Sequence, residues 1–278
     1  MMYNISMSKL LIGTSGYDYP EWRGVFYPDD LKRKDFLAYY ATVFNALELN
    51  NTFYNMPTRD RLISFYERSE GKLQFSVKAN RLLTHEITRN WQNDAEDFKT
   101  AVSPLAEKSC LCALLFQFPQ SFHYTDENRI YLAKLIAAFE GFPVVIEFRH
   151  IEWIRDSVFA GLESRGAGLV FCDMPQLKNL PNTLGEPTSD ARRTPFVGPI
   201  AYIRLHGRNA DAWYANAPEN NGSARYCYDY SDSELSDFVP VIQNAVITGK
   251  KPVVFFNNHP NGSGAKNAKK LREMVGEL

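Results

Sequence analysis

The stretch VVIEFRHIEW, residues 144–153, begins as a continuous apolar run rich in β-branched side chains and then turns abruptly charged. Such a run marks a strand covered on both faces in a parallel sheet, and the charge falls at its C-terminal end. Side chains alternate along a strand, so Glu147 and Arg149 share one face while Ile146 and Phe148 take the other. A carboxylate and a guanidinium on one buried face require each other or a ligand. The stretch AYIRLHGR, residues 201–208, repeats the pattern, with Tyr202, Arg204, His206 and Arg208 on one parity.

The same grammar recurs along the chain. Apolar strands are expected within 10–17, 46–54, 73–80, 111–118, 144–150, 168–174, 200–207 and 253–258. Between them lie stretches of helical period at 34–44, 59–68, 95–108, 125–139, 157–164 and 232–247, with a terminal helix after NHPNGSGAKNAKKL. Thr125 is a candidate N-cap, with Asn128 in place of the usual Glu or Gln of a capping box. From Pro175 to Pro199 the helical period fails and prolines stand at 175, 181, 187, 195 and 199, so an irregular segment is expected in place of a regular sixth helix. About eight strands alternating with helices predict an α/β protein, a single (β/α)₈ TIM-type barrel over residues 1–278 with residues 1–8 as a frayed terminus. An open doubly wound sheet is the alternative, without its usual nucleotide-binding forms, because neither GxGxxG nor GxxxxGK[ST] is found.

Length and composition agree. The chain has 278 residues, 45% hydrophobic and 14% aromatic, enough for a large core in a class that commonly runs to about 250 residues as one domain. A net charge of −1 offers no global attraction to nucleic acid or anionic membrane, so any positive field is local. No basic n-region with an apolar h-region opens the chain and no run is long enough to span a bilayer, which predicts a cytoplasmic protein with no membrane partner. The four cysteines lack zinc-pair spacing and read as buried reduced thiols.

In such barrels the chemistry sits where strands end at the C-terminal face. Glu48, Asn50, Lys78, Asn80, Gln117, Glu147, Arg149, Asp173, Arg204, His206 and Asn257 all fall late in their strands. The five histidines and four tryptophans fall at strand ends or in the loops after them, with none in an expected helix. One reading is a self-neutralising network, Glu147 against Arg204 or Arg149 and Glu48 against Lys78. The other is a bound anion, since Arg149, Arg204, Arg208 and Lys78 exceed what one network needs and arginine suits phosphate or carboxylate. The Gly262-Ser263-Gly264 turn before the last helix lies where barrel phosphate sites occur. A divalent metal held by Glu147, Asp173 and His206 is a third reading, opposed by the arginines that compete for the same carboxylates. No resident cofactor is expected, and no strained nucleophile elbow surrounds Ser15 or Cys172.

Together GTSGYDYPEWRGVFYP (13–28), FNALELNNTFYNMP (44–57), FSVKAN with the later TH (75–85), LLFQFPQSF (114–122), VVIEFRHIEW (144–153), YIRLHGR (202–208), YDYSDSEL (228–235) and FFNN with the later NA (255–268) resemble the DUF72 family, also called YecE-like or UPF0759. The resemblance covers nearly the whole chain and implies a TIM-type barrel with a pocket at its C-terminal face, in a family whose activity is unestablished. Tyr17 stands where that family commonly has tryptophan. The family is loosely grouped with sugar isomerases and compared with endonuclease IV, whose many zinc ligands find too few counterparts here to be carried over.

The expectation is therefore an uncharacterised barrel acting on a small anionic ligand, a phosphorylated sugar or nucleotide-like molecule, by acid–base chemistry. Glu48, Lys78, Glu147 and His206 are the candidate catalytic residues. Tyr17, Trp22, Asn50, Tyr54, Gln117, Arg149, Trp153, Asp173, Arg204, Arg208 and Asn257 are the candidate ligand contacts. A nucleic-acid-binding module with aromatic loops around a basic mouth, or a metal-dependent isomerase or phosphodiesterase, is the alternative. Oligomeric state is left open.

Overall fold

The computed structural model describes residues 10–181, 196–214 and 223–276. Eight parallel strands close into a barrel in sequence order: β1 (Leu11–Ser15), β2 (Ala46–Leu49), β3 (Gln74–Lys78), β4 (Leu111–Gln117), β5 (Val144–Glu147), β6 (Gly168–Asp173), β7 (Ile200–Leu205) and β8 (Lys251–Phe256), with β8 pairing β1. Helices α1 (Phe36–Val43), α2 (Arg59–Arg68), α3 (Trp91–Glu107), α4 (Asp126–Ala138), α5 (Asp156–Glu163), α6 (Asp232–Ser236), α7 (Phe238–Ile247) and α8 (Ser263–Val275) follow their strands. The α/β barrel expected from the alternation is what the chain forms. The open-sheet alternative fails because the β1–β8 ladder closes the sheet.

Two layers of apolar side chains result from the period-2 alternation. Leu11, Ala46, Leu115, Val145, Val170, Tyr202 and Phe255 fill the barrel interior, while Ile12, Leu47, Val77, Ile146, Phe171, Ile203 and Val254 pack outward against the helices. Each fully buried Leu, Ile or Val contributes roughly 1.5–3 kcal/mol relative to exposure. Gly13 in β1 is needed for close approach, since a Cβ there would lie 1.9 Å from the Ala46 carbonyl oxygen. The Tyr40 hydroxyl of α1 fills that corner, accepting from the Thr14 N–H and donating to the same Ala46 carbonyl.

Several expected boundaries shift. The strands end one to five residues sooner than their apolar patterns implied, so Asn50, Arg149 and His206 stand on turns just beyond β2, β5 and β7. A parallel ladder stops where chains diverge toward separate helices, and polarity alone cannot mark that point. Trp91 is a second correction. It is the first residue of α3, 9% exposed and edge-on to Tyr131 at 5.2 Å, rather than part of the preceding loop. The helix expected over 232–247 is broken at Asp237, and Pro240 three residues on has no N–H to continue the bonding ladder across that point. Within the Pro-rich segment, residues 175–181 and 196–199 are irregular, as expected, and the rest lies outside the described residues, as do residues 1–8. Thr125 caps α4 by accepting from the Asn128 N–H at 3.2 Å.

Candidate functional site

The inward row of side chains turns from apolar to charged at the C-terminal end of the barrel. Glu48 of β2, Glu147 of β5 and Arg204 of β7 all point inward, and each is 1% exposed or less. A charge removed from water to that degree persists only if paired. Arg204 meets the Glu48 carboxylate with two parallel bonds, Nε to Oε2 at 3.0 Å and Nη2 to Oε1 at 2.6 Å, and gives its Nη1 to Glu147 Oε2 at 2.6 Å. Ser15 and Tyr202 donate the remaining bonds to Glu48, at 2.6 and 2.7 Å, and the Tyr202 hydroxyl also meets that of Ser76 at 2.6 Å. The Arg204 guanidinium is thus consumed by carboxylates and offers nothing to an anion. The anion-contact role expected for Arg204 is replaced by that of a keystone between three strands. Glu48 is likewise committed, and its expected pairing with Lys78 is replaced by pairing with Arg204.

Above this layer lies a second one. Arg149 Nε stands 2.5 Å from Glu147 Oε1, its Nη2 3.1 Å from His206 Nε2, and its guanidinium 5.8 Å from the Trp213 ring centroid. His206 is completely buried, with Nδ1 3.0 Å from the Asn257 amide. Burial, then the nearby Arg149 and Arg204, push the His206 pKa down to about 3, so its imidazole is neutral. Asn257 Nδ2 faces Nδ1 and Arg149 Nη2 faces Nε2, and both are donors, so a neutral ring accepts from one of them through its single unprotonated nitrogen. Burial opposes ionisation of Glu147, but Arg149 and Arg204 outweigh it and hold the carboxyl well below the usual range. A carboxylate so stabilised is a weak base, poorly matched to the proton-abstracting role expected of Glu147.

On the opposite wall the arrangement differs. Lys78, half-buried at the end of β3, gives its Nζ to Gln117 Oε1 at 2.9 Å and lies 4.4 Å from the Phe53 ring centroid. Gln117 is fixed in turn by its own amide donating to the Phe118 carbonyl at 2.8 Å. Among the described residues Lys78 makes no ion pair. Burial, then the positive field of Arg204, lower its pKa to about 7 despite Glu147 and Glu48 nearby. His85, edge-on to Phe53 at 4.8 Å, is pushed down to about 4 by burial and by Lys78.

The other expected contacts separate into three groups. Arg208 faces away from this layer, meeting both Asp173 oxygens at 3.0 to 3.1 Å and Glu234 at 3.2 Å, with Tyr230 donating to Asp173 at 2.6 Å. Asp173 and Arg208 therefore satisfy each other. Trp22 and Trp153 are buried struts: their indole N–H groups donate to the carbonyls of His259 at 2.8 Å and Phe122 at 2.6 Å. Trp153 also stacks on Phe148 and Phe122 at 4.5 and 5.1 Å, and these contacts leave neither indole a free polar edge. Tyr17 packs outward against Tyr40 and Phe65, and Tyr54 is 67% exposed. Asn50 keeps a buried Oδ1 with no hydrogen-bond partner among the described residues. Asn257 and Gln117 act by holding His206 and Lys78.

The expected metal set is not assembled, because Asp173 turns to Arg208. Cys172 takes its place, with ligand atoms of Glu147, Cys172 and His206 within 4.8 Å of one another. The set does not fit a resident divalent ion: guanidiniums sit on both oxygens of Glu147 and burial raises the Cys172 thiol well above its usual range. Sequence reasoning did not assign Phe53, Trp213 and Tyr226 to the site. Trp213 and Tyr226 approach His206 with ring centroids at 6.4 and 6.0 Å. The signal for Trp213 and Tyr226 was their position in a long aromatic loop, which periodicity does not register, and Phe53 was hidden in the expected strand 46–54.

No helix among the described residues is long and apolar enough to cross a membrane. A family model described as a protein of unknown function, DUF72, matches residues 11–278. The chain is 27% identical over 261 residues to the UPF0759 protein YunF of Bacillus subtilis strain 168, covering 90% of this chain and 89% of that protein. Among solved structures, the DUF72 family protein TM1631 of Thermotoga maritima MSB8 superposes with a TM-score of 0.82 at 32% identity, over 96% of this chain and 99% of that one. The DUF72 family protein EF0366 of Enterococcus faecalis V583 follows at 0.77 and 23% identity, over 96% and 95% of the two chains, a likeness of fold. With a match that runs from the first strand to the last residue, the chain belongs to the DUF72 family.

Proposed function

We propose that the mouth between β3 and β7 binds a small anionic ligand and acts on it by acid–base chemistry, with Lys78 exchanging the proton and Arg149 contacting the negative charge. The observation that carries this reading is the Lys78 amine. It is the one candidate-site cation whose described partners are all uncharged, Gln117 and Phe53. Arg149 and Arg204 balance Glu48 and Glu147, so the two layers together are neutral without Lys78. A lysine with a pKa near 7 is divided between acid and base forms at neutral pH, where proton transfer is most effective. Neutral His206 orients the ligand from beside Arg149, and Trp213 and Tyr226 supply flat apolar walls. A sugar phosphate or a nucleotide combines the anion and the planar or polyhydroxylated body that such walls accept.

Thermal melts with inorganic phosphate, a set of sugar phosphates and a set of nucleotides test the reading. A ligand at one hundred times its Kd adds about 2.7 kcal/mol to stability. At least one compound is expected to raise the Tm of the native chain and to lose that effect in Lys78→Met and Arg149→Met. A panel without any such rise would defeat the proposal.

A further inference from the structure

A second cluster lies on the rim, in the loops that follow β4 and β5. His123 comes from the first loop, and His150 and Glu152 from the second. His123 Nδ1 stands 3.1 Å from Glu152 Oε2, and His150 Nδ1 stands 3.5 Å from the same oxygen. The three ligand atoms lie within 4.8 Å of one another, and the imidazole centroids are 4.5 Å apart. Zinc binds histidine nitrogen and carboxylate oxygen at about 2.0–2.1 Å, so neighbouring ligands of a tetrahedral ion are about 3.3 Å apart. Separations of 3.1 and 3.5 Å bracket that edge length.

The loops hold the ligands in place without help from an ion. Trp153 Nε1 donates across to the Phe122 carbonyl, and the Trp153, Phe122 and Phe148 rings form one stack. The Tyr124 N–H donates to Glu152 Oε2 at 3.2 Å, and the Asn128 amide holds the His123 carbonyl at 2.8 Å. His150 is 7% exposed, which fixes its ring, whereas His123 and Glu152 are open to solvent. Its Nδ1 accepts a long bond from the Glu152 N–H at 3.3 Å, which a metal ion on that nitrogen would replace. Among the described residues, the guanidiniums that crowd Glu147 have no counterpart in the ion pairs of Glu152, which are to histidine alone.

We propose that His123, His150 and Glu152 form a zinc site on the barrel rim, with the remaining coordination position open to solvent. Two neutral imidazoles and a carboxylate are the donor set of zinc sites that keep a position for water or an exogenous ligand. The ion would clasp the loops after β4 and β5 beside the mouth without belonging to it.

The test uses the full chain, stripped with EDTA and loaded separately with Zn²⁺ and Co²⁺. One Zn²⁺ per chain is expected in competition with a chromophoric chelator, and Co²⁺ is expected to give the intense visible bands of a tetrahedral site. Affinity should fall at least about tenfold in His123→Ala and in Glu152→Gln, both changes at exposed side chains that leave the core intact. It should be unchanged in His206→Asn, which reports on the buried Glu147–Cys172–His206 group. Substoichiometric zinc, binding indifferent to His123→Ala, or binding lost in His206→Asn would each overturn the assignment. None of these readouts depends on the anion proposed for the mouth.

Discussion

The two walls of the barrel mouth carry similar residue types under opposite constraints. On the β5–β7 wall every charge is matched: Arg204 between Glu48 and Glu147, Arg149 on Glu147, and farther out Arg208 between Asp173 and Glu234. On the β3–β4 wall Lys78 meets an amide and an aromatic face. A matched, fully desolvated network is strongly destabilised when one member is removed, because the partner is left charged and dry. An unmatched lysine costs the fold something already, and removing it costs little. Charge alone therefore does not mark a site.

The largest effect expected is from Arg204→Met, which leaves Glu48 and Glu147 buried without their shared partner. It should cost about 3–5 kcal/mol in urea denaturation. A loss below about 1 kcal/mol, the scale of a surface pair, would show that the network does not hold the barrel together. Arg208→Met comes next. Its side chain is 34% exposed and water screens part of the attraction, so a cost of about 1–3 kcal/mol is expected, between the surface and buried limits. A cost equal to that of Arg204→Met would break the link between burial and network strength.

The pH dependence sharpens the contrast. The folded pKa of His206 is about 3 against an ordinary 6.5, so between those values the unfolded chain holds a proton that the native chain lacks. Its contribution is full above pH 6.5 and is lost as pH falls toward 3. His206→Asn should flatten the acid limb of the stability profile over that window; an unchanged limb would mean that the ring charges in the native state. Lys78 has the same sign higher up: with a folded pKa of about 7 against 10.5, its share of stability grows from pH 7 to 10.5. Lys78→Met should remove that rise. The smallest effect is on stability at neutral pH, where Lys78→Met is expected to lie within about 0.5 kcal/mol of the native chain or above it. A loss of several kcal/mol would place Lys78 with the structural charges and remove it from the proposed chemistry.

Much of this was legible before the fold. Alternation of apolar and charged positions placed Glu48, Glu147 and Arg204 on one inward row, and the repeat of strand and helix favoured a barrel over an open sheet. Arg149 shows the limit: it leaves the strand at Glu147 yet still reaches that carboxylate from the turn, a contact parity anticipated for the wrong backbone. Trp22 and Trp153 show another, since an indole reads alike in sequence whether it walls a pocket or caps a buried carbonyl.

The sequence by itself determined the alternation of strands and helices and the strand ends where charge collects, because periodicity is local; closure into a barrel is shown by the β1–β8 ladder. Only the tertiary structure decided which charges are spent on one another. Pairing of Arg204 with Glu48, 156 residues earlier, is set by the register across several strands, to which no local pattern is sensitive. The same holds for what was left over: Lys78 has no ion pair among the described residues because Arg204 takes both carboxylates, and His123 meets His150 and Glu152 because β4 and β5 are neighbours.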